Sequence, residues 1–147
     1  MHGIRLSCEA LPEALPALQR WLARGWQQLG LPGAQRHAFE LALEELFINI
    51  ATHGRAAGER IPVVDCSLHS TGTAIELCLQ DDGPAFNPLT TPAPETESPL
   101  EARTLGGVGI ALVRHLMDEV TYRRLDGQNE LRCVQHRAGN LGASAAT

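Results

Sequence analysis

Glu45, Asn49 and His53 stand at i, i+4 and i+8 within the stretch AFELALEELFINIATH. On a helix they would form one polar stripe along an otherwise apolar cylinder. A buried polar group costs free energy unless it is paired, so such a stripe needs partners or a ligand; core polar residues that satisfy one another, or that face water, would show the same spacing. A second group follows at QDDGPAF, where Asp81 would end an alternating strand. A carboxylate there can accept a hydrogen bond from a donor such as an exocyclic amine, and Gly83 would let the chain pass close to a flat ligand. By itself Asp-Asp-Gly-Pro is also an ordinary turn. The third group is LGGVGIALV, in which Gly107 and Gly109 precede a helical pattern. Glycines at that place expose the first backbone N–H groups of the helix, and these donors with the helix dipole suit phosphates.

Elements able to hold these groups can be read from periodicity. Residues 3–8 suggest a short edge strand, and residues 12–29 carry Leu15, Leu18, Trp21, Leu22 and Trp26 at helical spacing, with Gly30 and Pro32 as the stop. Residues 33–52 form a second helix that is apolar on most sides and ends at Gly54. Residues 61–69 and 73–81 read as a strand pair turned around Ser70, Thr71 and Gly72, with Ile75, Leu77 and Leu79 alternating against Glu76, Cys78 and Gln80. From 83 to 104 no period exists and five prolines occur; a long aperiodic stretch inside a compact domain is expected to be a lid or binding loop. A third helix is predicted over 110–120. A closing hairpin over 120–125 and 130–136 would turn at Asp126-Gly127, and residues 138–147 form a small, polar tail.

Composition narrows the class. The chain has 147 residues, 44% of them hydrophobic, which suits one domain with one core. All twelve basic residues are arginine. Without lysine, a P-loop, an ordinary protein-kinase strand lysine and Schiff-base chemistry are excluded. A formal charge of −5 with no basic block argues against direct nucleic-acid binding. Cys8, Cys66, Cys78 and Cys133 lie in no ligand spacing and read as reduced, buried thiols. No leader-like segment and no apolar run of spanning length are visible, so a cytoplasmic protein with no membrane association is expected. A dinucleotide-binding fingerprint is disfavoured because the glycines lack the third partner of GxGxxG.

In this order, with a long lid before the last, the three groups resemble the N, G1 and G2 boxes of the GHKL (histidine-kinase-like) ATPase superfamily, and in particular its anti-sigma-factor serine/threonine kinases. EELFINIATHG resembles the E-x-x-x-N helix, DDGPAFNP the D-x-G turn, and GGVGIALVRHLMDEVTY the glycine loop with its helix and strand. Ala85 stands where many superfamily members carry a second glycine, a departure that bears on the shape of the turn.

The resemblance implies an α/β (α+β) two-layer sandwich, a mixed, mainly antiparallel sheet covered on one face by three helices. One domain would span 1–137, with ATP bound beneath a lid at about 88–105. Asn49 would offer an oxygen to Mg²⁺, and Glu45 would be the general base toward a serine or threonine hydroxyl. Asp81 would read the adenine amine beside Gly83, and Gly107 and Gly109 would hold the phosphates. His53 fits the pattern after the asparagine. Arginine is then the permanent cation available for the transferring phosphoryl group, and Arg103, beside the glycines, is the candidate. The implied activity is ATP- and Mg²⁺-dependent phosphorylation of an anti-sigma-factor antagonist by a homodimeric regulator that also binds a sigma factor. A nucleotide-sensing module that switches partners without phosphoryl transfer is the alternative.

Overall fold

The computed structural model describes residues 2–54, 60–90 and 108–137. The strand β1 (His2–Glu9) runs slightly longer than expected, with Ile4, Leu6 and Cys8 turned to the core. Helix α1 (Leu15–Gln28) begins three residues later than its apolar spacing suggests. Pro16 has no N–H with which to bond a carbonyl one α-turn back, so residues Pro12–Ala14 form a 3-10 turn in which the Leu15 N–H reaches Pro12 O. Leu18, Leu22 and Trp26 are buried, and the Trp26 indole N–H donates to Pro32 O at 3.0 Å.

Helix α2 (Gly33–His53) is the central helix, burying Phe39, Ala42, Leu43, Leu46, Phe47 and Ile50. The Gly54 N–H bonds Ile50 O at 2.8 Å and closes its C-terminus. At its other end the Gln35 amide donates to Gln135 Oε1 and to His136 O, each at 2.7 Å, tying the helix to the last strand.

Strands β2 (Val63–Ser70) and β3 (Ala74–Asp81) form the expected hairpin. β2 starts at Val63 rather than 61 because Pro62 cannot donate to a ladder; its carbonyl instead accepts the Ala10 N–H at 2.8 Å. Ile75, Leu77 and Leu79 are fully buried while the alternate side chains are partly exposed, so the helices cover one face.

Helix α3 (Val108–Leu116) stops before residue 120. Met117 still bonds back to Val113 O, but the Asp118 N–H turns to Val134 O and its carboxylate accepts the His136 N–H at 2.7 Å. That clamp, with the β-rich run Val120-Thr121-Tyr122, starts β4 (Glu119–Leu125) early. The turn to β5 (Gln128–His136) has positive φ at Asp126 (52°) and Gly127 (75°), the type I′ geometry that Asp-Gly favours.

The sheet order is β1-β2-β3-β5-β4, with the final hairpin folded back so that β5 lies beside β3. Each of the four pairings is antiparallel, so among the described strands the sheet has none of the parallel pairing that a mixed sheet would contain. The architecture is the α+β two-layer sandwich. All four cysteines are free thiols, and burial pushes Cys78 and Cys133 up to about 12. Among the described residues no helix is long and apolar enough to cross a membrane.

Candidate functional site

The polar stripe of α2 exists, graded along its length: Glu45 and Asn49 are half-buried and His53 is exposed. The Asn49 amide N–H donates to Glu45 O at 2.9 Å, which fixes that amide and turns its Oδ1 away from the helix backbone. The Glu45 carboxylate lies directly against Gly109 in the first turn of α3, where any Cβ would meet its Oε2. The first and third groups of residues therefore meet, and a side chain at position 109 would have to displace the Glu45 carboxylate.

Asp81 ends β3 in the inward phase and is 3% exposed. Its Oδ1 accepts the Gly83 N–H and an amide N–H of Asn129, both at 3.0 Å; among the described residues Oδ2 has no hydrogen-bond partner. Burial holds its carboxyl above the ordinary range, opposed by the donors Asn129 and Gly83 and by the charge of Arg124, while Asp82 adds to the rise. Gly83 is buried against the carbonyl of Gly54, so the turn after β3 seats on the C-terminus of α2. The His53 ring packs on Phe86, centroids 5.7 Å apart, and joins the same two elements. Ala85 is exposed, so its methyl is accommodated outside the turn.

Residues 83–90 are more ordered than their lack of period suggests. Asn87 accepts the Leu89 N–H and the Thr90 hydroxyl, forming a 3-10 turn at Pro88–Thr90. Arg114 of α3 donates to Leu89 O at 3.1 Å, bracing the start of the expected lid. The rest of that lid, with Arg103 and Gly107, lies outside the described residues.

Two further residues of the site carry no motif. Arg124 donates to Gly83 O at 2.7 Å. Asn129 is 2% exposed and lies directly across from Asp81 in the β3–β5 register. Besides Asp81 it bonds Pro84 O, the Phe86 N–H and the Tyr122 hydroxyl. The signal was an asparagine in phase with inward Leu131 and Cys133, a polar residue where the strand pattern calls for an apolar one.

The donor set suits a nucleotide with a divalent cation. Among the described residues one carboxylate oxygen at the strand end has no internal partner, and an oriented amide oxygen stands on α2. Among the described residues no group of three His, Cys, Asp or Glu could hold a metal, so an ion here would take most of its oxygens from phosphates and water, as Mg²⁺ does.

The α+β fold and the meeting of the α2 stripe with the first turn of α3 fit an ATPase domain. The chain belongs to the histidine kinase-like ATPase domain family, which it matches over residues 8–135. It is 29% identical over 126 residues to the serine/threonine-protein kinase BtrW of Bordetella bronchiseptica, an alignment covering 86% of this chain and 81% of that protein. Its fold is similar to the crystal structure of the RsbU and RsbW domains of Rv1364c from Mycobacterium tuberculosis, with a TM-score of 0.65 at 14% identity over 93% of this chain. The chain spans 33% of that longer polypeptide, and the likeness is one of fold.

Proposed function

We propose that this protein is an ATP- and Mg²⁺-dependent serine/threonine protein kinase that acts as a cytoplasmic anti-sigma factor and phosphorylates an anti-sigma-factor antagonist. The observation that carries the reading is the contact between Glu45 and Gly109, which puts a carboxylate beside the helix N-terminus where phosphates would lie. The similarity to BtrW, named a serine/threonine-protein kinase, supports the same reading.

Asp81 Oδ2 accepts the adenine exocyclic amine, and Gly83 lets the base approach the strand end. The amides at the start of α3, with Gly107 and Gly109, hold the phosphates. Asn49 Oδ1 would hold Mg²⁺, which when bound would supply charge neutralisation at the phosphates. Glu45 takes the proton of the substrate hydroxyl as that oxygen bonds to the γ-phosphorus and the bond from phosphorus to the ADP oxygen breaks. Arg103 stabilises charge on the phosphoryl group in transit, and His53, stacked on Phe86, steadies the base-reading turn. The regulator works as a homodimer that releases or captures a sigma factor as the antagonist changes phosphorylation state, and so regulates transcription.

Incubation with Mg·ATP and a candidate antagonist tests this. Transfer to a serine or threonine that is lost with Glu45→Gln supports it; tight ATP binding without transfer to any cognate partner would instead favour a nucleotide-sensing switch.

A further inference from the structure

Asn129 uses its whole hydrogen-bonding capacity inside the protein. Its Oδ1 accepts from the Tyr122 hydroxyl at 2.6 Å and from the Phe86 N–H at 3.2 Å. Its Nδ2 donates to Asp81 Oδ1 at 3.0 Å and to Pro84 O at 2.8 Å. An amide has two donors and two lone pairs, and all four are matched here; flipping it would set donor against donor at the Phe86 N–H and acceptor against acceptor at Asp81 Oδ1 and Pro84 O. The orientation of this side chain is therefore fixed by its neighbours.

The consequence falls on Asp81. With the Asn129 amide and the Gly83 N–H both spent on Oδ1, the carboxylate cannot rotate without losing two bonds in a buried place. Oδ2 is the atom left to face a ligand, and it presents an acceptor. An acceptor suits adenine, whose exocyclic amine donates, and opposes guanine, which carries a carbonyl oxygen at the equivalent position.

We infer that Asn129, clamped by Tyr122, is the positioning residue that sets the purine selectivity of this site by locking Asp81 with one acceptor oxygen toward the base. The inference rests on the reading of the site as an ATP site and assigns its base discrimination to a residue outside the three motifs. Asn129 on β5 stands across from Asp81 on β3, Tyr122 on β4 bonds Asn129 diagonally from its place across from Leu131, and the same amide holds the turn at Pro84 and Phe86. Loss of Asn129 would free the carboxylate to turn and remove a donor that favours its charged form.

The test is the affinity for Mg·ATP and Mg·GTP, measured by calorimetry over a pH series on wild type, Asn129→Ala, Tyr122→Phe and Cys133→Ala. Asn129→Ala is expected to shrink the ATP-to-GTP affinity ratio by roughly tenfold and to move the acid midpoint of ATP binding upward. Arg124, which draws the Asp81 carboxyl down, and Asp82, which pushes it up, are kept in every variant. Tyr122→Phe should shift the ratio the same way by less. Cys133→Ala, a buried change on the same strand, should leave ratio and midpoint unchanged. An Asn129→Ala protein that binds ATP with the wild-type ratio and midpoint overturns the inference. Should that variant fail to fold, an unchanged ratio in Tyr122→Phe does so. Wild-type protein that binds neither nucleotide sinks the ATP reading itself, and this inference with it.

Discussion

The Cα of Gly109 rests against the carboxylate of Glu45, so that a side chain at position 109 would occupy the place of that carboxylate. The contact joins α2 to the first turn of α3 and sets the Glu45 carboxylate beside the start of that helix. Gly109→Ala should displace the carboxylate while leaving the buried cores of both helices intact. Since misplacement of a reacting group by about 1 Å can cost on the order of a hundredfold in rate, phosphoryl transfer is expected to fall by about that factor. Unchanged turnover, measured alongside an unchanged circular dichroism spectrum, would separate the contact from catalysis.

Glu45→Gln keeps the shape of that contact and removes the proton acceptor. Transfer should slow by roughly 10²–10⁴-fold, with Mg·ATP affinity close to wild type. A parallel loss of affinity would assign Glu45 to nucleotide binding instead.

Asn49 is held by its bond to Glu45 O, which leaves Oδ1 for a cation. Calorimetric titrations of ATP with and without Mg²⁺ should show that the ion tightens binding to wild type and gives Asn49→Ala little of that gain. An equal Mg²⁺ effect in both proteins would rule out Asn49 as its ligand.

Asp81 opposes stability and function. Its folded-state carboxyl lies above the ordinary range because it is buried. A raised folded value contributes stability that is fully present below the unfolded value and is lost as pH rises through the folded one. Asp81→Asn keeps an acceptor for Gly83 and Asn129, so the ligand-free variant should melt higher than wild type at neutral pH. Its advantage should shrink as pH falls through the Asp81 value. The same variant should lose the thermal shift given by Mg·ATP. A lower ligand-free melting temperature at neutral pH, or a wild-type nucleotide shift, would contradict this.

Much of the fold could be read along the chain where a local rule operates. Alternation of Ile75, Leu77 and Leu79 marked β3, the apolar run of α2 marked a covered helix, and Asp126-Gly127 marked the last turn. Boundaries moved where a non-local partner acted: Asp118 leaves α3 because β5 offers it Val134 O and the His136 N–H. Within the candidate site, Glu45, Asn49 and Asp81 stood out by spacing, and the contact of Glu45 with Gly109 fits their grouping. Asn129 and Arg124 did not stand out. Their roles come from register, which sets position 129 across from 81, and from the fold of the turn that brings Gly83 O to the Arg124 guanidinium. Spacing within one segment carries no record of either.

Phosphoryl transfer from γ-labelled ATP in a source-cell lysate lacking the endogenous protein, with wild type or Glu45→Gln added back, tests the kinase reading most directly. The expected result is a small protein labelled on serine or threonine with wild type and Mg²⁺, and faintly or not at all with the variant. Absence of any label dependent on the wild-type protein, or equal labelling by both, would contradict it.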